Sequence, residues 1–250
     1  MKVTFLGTGT STGVPQIGCS CPTCTSPDPC DKRLRASAIV EVDGTRLLID
    51  CGPDFRAQML AIGAPQIDAC LLTHIHYDHV GGLDDLRPFC AHKAMPIFCQ
   101  PKVAKAIRER MPYCFAPNPY PGIPKIDLIE IEPYHTFQFK GIEIQPLLVM
   151  HALMPIVGFK IGNFAYITDC KTMPKETLKQ LKGLDTLVIN ALRHEVHPSH
   201  LCLSEALEII AKAKPRRAYL THMAHNMGPQ ASVSLPEGVQ FAHDFLSITI

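Results

Sequence analysis

His74, His76, Asp78 and His79 place four metal-binding side chains within six consecutive positions, His74-Ile75-His76-Tyr77-Asp78-His79. Imidazole and carboxylate together suit zinc, manganese or iron, whereas oxygen-only sites suit magnesium or calcium. One ion rarely takes four ligands from so short a stretch, because the backbone cannot wrap around it. Two neighbouring ions can share them. In an extended segment residues two apart point the same way. His74 and His76 can therefore face one ion, while Asp78 and His79, where the chain turns, face a second. A surface loop that happens to be His-rich is the bland alternative. Against it, the apolar run Ala69-Cys70-Leu71-Leu72-Thr73 leads into the cluster and Val80-Gly81-Gly82-Leu83 follows it. That pattern predicts a buried strand ending in a loop that opens into a helix.

Two ions need more ligands than one loop provides. Three further residues directly follow a strand-like apolar run: His151 after 144–150, Asp169 after 164–168, and His222 after 217–221. In open α/β sheets, sites gather at the carboxyl ends of strands. A carboxylate has two oxygens and can hold both ions, so Asp169 is the natural bridge. The expected sets are His74, His76, His151 and Asp169 on one ion, and Asp78, His79, Asp169 and His222 on the other. Singly, each has an ordinary reading, a turn former or helix cap for the Asp and a hydrogen-bonded strand end for the His. Their recurrence at four strand ends is what argues for a site.

The elements that must position these residues are mostly strands. Lys2–Leu6 alternates and is followed by Gly7-Thr8-Gly9-Thr10-Ser11-Thr12-Gly13, read as a flexible loop. Asp43-Gly44 between 38–42 and 45–50 is a strong hairpin signal. Helices are expected at 55–62, ending at Gly63, at 103–111 (a basic one), at 175–181 and at 204–212. Strands are expected at 67–73, 95–99, 126–131, 136–139, 142–150, 157–161, 164–168, 186–191 and 217–221. The proline-crowded 112–124 reads as an irregular, substrate-shaping excursion. Mostly strands with few helices, a theme repeated in the second half, fits two sheets with helices outside them.

The chain has 250 residues, 46% hydrophobic and 19% charged, with a formal net charge of +1. This supports one large core, read as a single domain over 1–250. No global field draws nucleic acid or a membrane surface. The first residues lack a signal-peptide core and no run is long enough to span a membrane, so a cytoplasmic location is expected. Eleven cysteines in such a chain mean thiols or metal ligands rather than disulfides. Cys70, Cys90, Cys99 and Cys170, each alone in apolar surroundings, are expected in the core.

The H-x-H-x-D-H motif with the later His, Asp and His resembles the metallo-β-lactamase superfamily, from the Gly7–Thr10 loop to His222. That resemblance implies an αββα sandwich with a dinuclear site between the inner sheet edges. It also implies that Asp50, in Leu48-Ile49-Asp50-Cys51-Gly52, buttresses the site rather than binding metal. Cys19-Ser20-Cys21-Pro22-Thr23-Cys24 is a C-x-C-x-x-C cluster, whose three thiolates suit a tetrahedral structural zinc in a loop at about 19–30. A reactive or redox thiol cluster is the alternative. Cys30 could supply the fourth ligand. His225, in Thr221-His222-Met223-Ala224-His225, is the better candidate by resemblance. C-x-C-x-x-C near the start with H-x-x-H near the end looks like the PhnP-type phosphodiesterases, which act on cyclic phosphates.

The resemblance implies a metal-dependent phosphodiesterase for cyclic or small nucleotide-like phosphodiesters. Two cations, zinc or manganese, would clamp the phosphate and lower the pKa of a bridging water towards about 7. Asp78 counts among the catalytic residues as well as the ligands. His200, before the helix at 204–212, matches the family's general acid, a role worth typically a hundred- to ten-thousand-fold. His194 and His197 are read as solvated. Lys32, Arg33, Arg35 and Arg87 could meet phosphate, but an exposed basic face and a helix salt bridge are the ordinary readings. Rival readings are a tRNA 3′-processing nuclease, a thioester or lactam hydrolase, and a non-enzymatic metal or redox module. The near-neutral charge and the short 112–124 segment argue against a nucleic-acid partner. No membrane partner is expected, and a homodimer is left open.

Overall fold

The computed structural model describes residues 1–90, 93–118 and 120–250. In chain order the strands are β1 (Lys2–Gly7), β2 (Ser37–Val42), β3 (Thr45–Ile49), β4 (Ala69–Leu71), β5 (Met95–Cys99), β6 (Ile126–Glu130), β7 (Phe137–Phe139), β8 (Ile142–His151), β9 (Met154–Ile161), β10 (Phe164–Ile167), β11 (Thr186–Asn190), β12 (Arg217–Thr221), β13 (Val239–Phe241) and β14 (Ser247–Thr249). The helices are α1 (Pro22–Thr25), α2 (Phe55–Ala61), α3 (Tyr77–Val80), α4 (Pro101–Arg110), α5 (Lys175–Gln180) and α6 (Leu203–Ala213). They form two seven-stranded sheets, β14-β1-β2-β3-β4-β5-β6 and β13-β12-β11-β10-β9-β8-β7.

Side-chain alternation along the strands turns these sheets into four layers. Successive residues of a strand face opposite sides. In β3, Leu47 and Ile49 enter the apolar layer between the sheets with Phe5, Phe159 and Tyr166. Leu48 points outward, into a second layer with Phe55 and Met59 of α2 and Val103 and Ile107 of α4. In β11, Val188 faces the central layer, whereas Leu187 and Ile189 face Ala206 and Ile210 of α6. Three apolar layers between two sheets and two outer sets of helices make the expected αββα sandwich. Each fully buried Leu or Ile contributes roughly 1.5–3 kcal/mol, and Cys70, Cys90, Cys99 and Cys170 are buried among them.

The sheets aim their carboxyl ends at one edge. β3 and β4 run parallel, as do β10, β11 and β12. β8 and β10 are both antiparallel to β9, so they also share a direction. The residues after β3, β4, β10 and β12, and the last residue of β8, therefore emerge together.

Two expectations need correction. Gly7–Gly13 is not a flexible loop. Thr8, Gly9 and Thr10 are buried, and this segment bonds through Thr10 N–H to Met223 O at 3.0 Å and Met223 N–H to Thr8 O at 2.9 Å. A Cβ on Gly7 would run into the Arg35 carbonyl oxygen, so glycine serves close backbone approach there. Strand β9 is longer than 157–161 because it pairs with β8 down to His151 opposite Met154. The 112–124 excursion opens as a single 3-10 turn, Pro112–Phe115; Pro119 within it lies outside the described residues. Among the described residues, no helix is long and apolar enough to cross a membrane.

Candidate metal centre

Asp50, Asp169 and His222 directly follow a strand or its final threonine and turn the chain with positive φ, at 60°, 54° and 58°. None is glycine, so this left-handed backbone costs roughly 1–3 kcal/mol at each position. Such local strain persists where the surroundings over-determine it. Here they do: Cys51 N–H bonds His79 O at 2.8 Å and Gly82 N–H bonds Cys51 O at 2.9 Å. These bonds stitch the His-rich loop and α3 to the turn after β3. Gly52 has no side chain because a Cβ there would overlap the Asp78 carbonyl oxygen.

The predicted ligands converge. Asp78, His79, Asp169 and His222 each offer an atom within 4.8 Å of the others. His79 Nε2 lies 3.1 Å from Asp78 Oδ2 and 3.2 Å from Asp169 Oδ2. His222 Nε2 lies 3.2 Å from Asp169 Oδ1 and 3.6 Å from Asp78 Oδ2. Beside this group His74, His76 and His151 pack ring against ring, with centroids 4.7 Å (74–76), 5.8 Å (74–151) and 5.0 Å (76–151) apart. Asp169 stands between the groups. It also belongs, with His151 and His200, to another set within 4.8 Å. All these residues except His76 and His200 are buried or nearly so.

The hydrogen bonds fix which imidazole nitrogens are free. A carboxylate only accepts. Thr73 Oγ1 donates to Asp50 Oδ2 at 2.8 Å, so it accepts from His74 Nδ1–H at 2.9 Å. His79 Nδ1–H donates to Asp50 Oδ2 at 2.7 Å. His151 Nδ1–H donates to the Asp169 carbonyl at 2.9 Å. In the neutral form of each ring Nε2 is then a lone pair. Buried polar atoms without a partner are rare and costly. Yet His74 Nε2, His79 Nε2 and both ring nitrogens of His222 have no hydrogen-bond partner. Lone pairs and carboxylate oxygens turned on one volume fit divalent cations, and partners of this kind behind the ligands commonly orient them. Asp50 therefore buttresses His79 and, through Thr73, His74.

The surrounding carboxylates decide the ionisation of the site, and His79 carries a second proton there unless a cation replaces it. Burial drives the His74 imidazole well below its ordinary value. Burial would also lower His79, but Asp169, Asp50 and Asp78 outweigh it and hold the ring well above that value. Burial opposes ionisation of Asp78 and Asp169, yet the neighbouring imidazoles keep both carboxylates well below the usual range.

His200 is arranged differently. Its Nε2 lies 3.0 Å from Asp169 Oδ1, and since that oxygen can only accept, Nε2 carries hydrogen. Its ring stacks on His222 with centroids 5.1 Å apart. Nδ1 meets Ser199 Oγ at 3.0 Å and His197 Nδ1 at 3.1 Å. His200 thus turns an N–H, not a lone pair, to the centre. His197 is half-buried against His200 rather than solvated, because Pro198-Ser199 folds the loop back on itself. His194 is exposed, as expected, with Nε2 bonded to Met227 O at 3.0 Å.

Behind His222, Cys19, Cys21, Cys24 and His225 lie within 4.8 Å of one another. Cys19 Sγ and Cys21 Sγ are 3.1 and 3.4 Å from His225 Nδ1. The Cys24 backbone N–H, helped by His225, lowers the Cys21 thiol to about 6. Burial, with the neighbouring thiols, pushes Cys24 up to about 11. Three thiolates this close cannot all ionise without a cation, and a zinc ion suits the set. Cys30 is not in the cluster; its backbone N–H bonds Asp28 Oδ1 at 2.8 Å, inside a separate 3-10 turn.

The basic residues do not form an exposed face. Arg33 is buried and donates to Thr8 Oγ1, Ala242 O and Gln230 Oε1. Arg35 pairs with Asp54 at 2.8 Å, and Arg87 with Asp84. Lys32 reaches the Cys24 carbonyl at 3.1 Å. Polar residues behind the ligands that the motif alone does not reveal include Thr73, Thr168, whose Oγ1 donates to Asp169 Oδ2 at 2.6 Å, and Asn190, which clasps the Cys170 backbone at 2.8 and 3.0 Å. The signal was present: Thr73, Thr168 and Thr221 each stand immediately before a predicted ligand.

Comparison with known proteins matches this architecture. The family model described as Beta-lactamase superfamily domain matches residues 45–223. The chain belongs to the metallo-β-lactamase superfamily. A solved diphosphatase of the PhnP family is 37% identical with a TM-score of 0.92, covering 100% of this chain and 97% of that one, which puts the chain in the PhnP branch. An octanoyltransferase from Porphyromonas gingivalis is 45% identical over 90% of this chain. The chain spans about half of that relative's length, 46%. A ribonuclease Z from Mycobacterium sp. is 24% identical over 100% of this chain and 96% of its own. As a superfamily member the protein is a metal-binding hydrolase.

Proposed function

We propose that the protein hydrolyses a small phosphoric diester or diphosphate ester at this centre. The observation that carries the proposal is the division of labour among the histidines. Of those assigned as ligands, His74, His79 and His222 turn buried, unpartnered ring nitrogens inward, whereas His200 turns an N–H to the Asp169 carboxylate. Lone pairs suit cations; an N–H suits a leaving oxygen.

His74, His76, His151 and Asp169 would hold one ion, and Asp78, His79, Asp169 and His222 the other, with structural zinc on Cys19, Cys21, Cys24 and His225. Two divalent ions there would neutralise phosphoryl charge and acidify water at neutral pH. Asp50 keeps His79 and His74 in the ligating tautomer. His200 Nε2 delivers a proton to the departing oxygen. Burial holds this imidazole down to about 4 in the free protein, against the opposing pull of Asp169. An anionic phosphate against Nε2 favours the protonated form, so the acid is loaded when substrate is present. The likeness to a PhnP-family diphosphatase supports phosphoryl chemistry.

A second reading, hydrolysis of an acyl thioester, is favoured by the octanoyltransferase relative. It leaves His200 without work, since a thiolate departs without a proton. The test is turnover by metal-stripped protein refilled separately with manganese and zinc, on bis(p-nitrophenyl) phosphate and on an octanoyl thioester. Metal-restored hydrolysis of the diester supports the proposal. Hydrolysis of the thioester alone overturns it.

A further inference from the structure

Beside the His-rich loop lies a cavity of about 190 Å3 that the chemistry above does not use. Its walls are Tyr77 and Val80 from α3, Asp84, Arg110 at the end of α4, and Met111 and Tyr113 just beyond. Tyr77 stands between two proposed ligands, His76 and Asp78, yet its side chain is 68% exposed. The ring lies across Gly81, where a Cβ would meet it at 2.8 Å. Arg110 donates from Nη1 to the Ile75 carbonyl at 2.7 Å. That bond ties the far wall of the cavity to the backbone that carries His74 and His76. Tyr113, 42% exposed, is held by its hydroxyl, which donates to Asp84 Oδ1 at 2.8 Å.

Two partly exposed tyrosine rings and a guanidinium line one small cavity. Aromatic faces and arginine planes stack on planar bases, and stacking tolerates different bases because every base has a π-face. The volume is below the 300–1,000 Å3 of pockets that enclose whole drug-sized ligands; it suits one planar ring system. The phosphoryl group of the same molecule would lie over the adjoining ligands.

We infer that Tyr77, Arg110 and Tyr113 form a subsite for the nucleobase of the substrate. Its phosphate occupies the metal centre, so the substrate class is a nucleotide rather than a plain sugar phosphate or alkyl diester. The inference rests on the phosphoester reading for its phosphate half. Tyr77 and Tyr113 supply the stacking faces. Arg110 positions the wall and keeps unspent N–H donors for the edge of the base.

The experiment is calorimetric titration of the metal-loaded protein with adenosine 5′-monophosphate and with ribose 5-phosphate, which differ only in the base. Base stacking predicts that the nucleotide binds about five- to a hundredfold tighter. Tyr77→Leu and Tyr113→Leu should each shrink this ratio, while Tyr77→Phe and Tyr113→Phe, which keep the ring, should retain it. Loss of stability alone would weaken both ligands together and leave the ratio in place. Equal affinity of the wild-type protein for the two ligands, no binding of either, or leucine variants with an undiminished ratio would overturn the subsite. A preserved ratio in a protein that hydrolyses no phosphoester would uphold the subsite and sink the phosphoester reading.

Discussion

Replacing Asp50 by Asn separates the buttress from the ligands it supports. The side chain is fully buried. It accepts from Thr73 N–H at 2.8 Å, Thr73 Oγ1 at 2.8 Å and His79 Nδ1 at 2.7 Å. Asn has nearly the same shape and tolerates the positive φ of 60° that this position adopts. It offers one accepting oxygen where Asp offers two. If its NH2 faces His79, Nδ1 must become the acceptor and Nε2 takes the proton, so the ring cannot ligate. If the NH2 faces Thr73, the relay to His74 breaks instead. Loss of such a partner typically costs ten- to a hundredfold in metal affinity or activity, about 1.4–2.8 kcal/mol. Asp50→Ala removes all acceptors from a buried site and should cost about 3–5 kcal/mol of stability, lowering Tm by roughly 6–20 °C for a chain of this size. Chelator competition measures the affinity, and calorimetry the unfolding. An Asp50→Asn protein that binds both ions and turns over as the wild type does would refute the claim that Asp50 sets the tautomers.

Three further outcomes follow from the same geometry. His200→Ala should leave metal content intact and slow hydrolysis of a diester with a poor leaving group by about a hundredfold or more, with a much smaller effect for p-nitrophenolate; equal slowing of both would contradict the acid role. Cys21→Ser should release one zinc ion and destabilise the protein while the remaining metal content is kept; a stable variant with unchanged zinc would favour a reactive-thiol role for the cluster. Gly52→Ala drives a methyl group into the Asp78 carbonyl and should cost about 1–3 kcal/mol, with displacement of the Asp78–His79 pair read as weaker metal retention; unchanged Tm and metal content would show that the loop can move aside.

Much of the fold is legible in the sequence because both sheets announce themselves locally. Asp43-Gly44 closes a hairpin, and apolar runs end in His or Asp at the same edge. What escapes notice is short or non-local. Strands β13 and β14 have three residues each, too few for a period, and exist only because β12 and β1 offer partners. Arg33 reads as surface charge in sequence, but its bonds to Ala242 and Gln230 come from some 200 residues away. The Gly7–Gly13 run has the composition of a flexible loop, yet tertiary hydrogen bonds to Met223 pin it. The positions of the candidate ligands are readable because each follows a strand. Their tautomers are not, because those depend on Asp50, Thr73 and the Asp169 carbonyl, brought together only by folding.

The shared carboxylate of Asp169 is the centre of the account. Elemental analysis of Asp169→Ala against wild type, with bis(p-nitrophenyl) phosphate turnover on the same samples, tests it most directly. The variant should keep the zinc assigned to Cys19, Cys21, Cys24 and His225, lose both ions of the catalytic centre, and be inactive. A folded Asp169→Ala protein that retains the full wild-type metal content and hydrolyses the diester would contradict it.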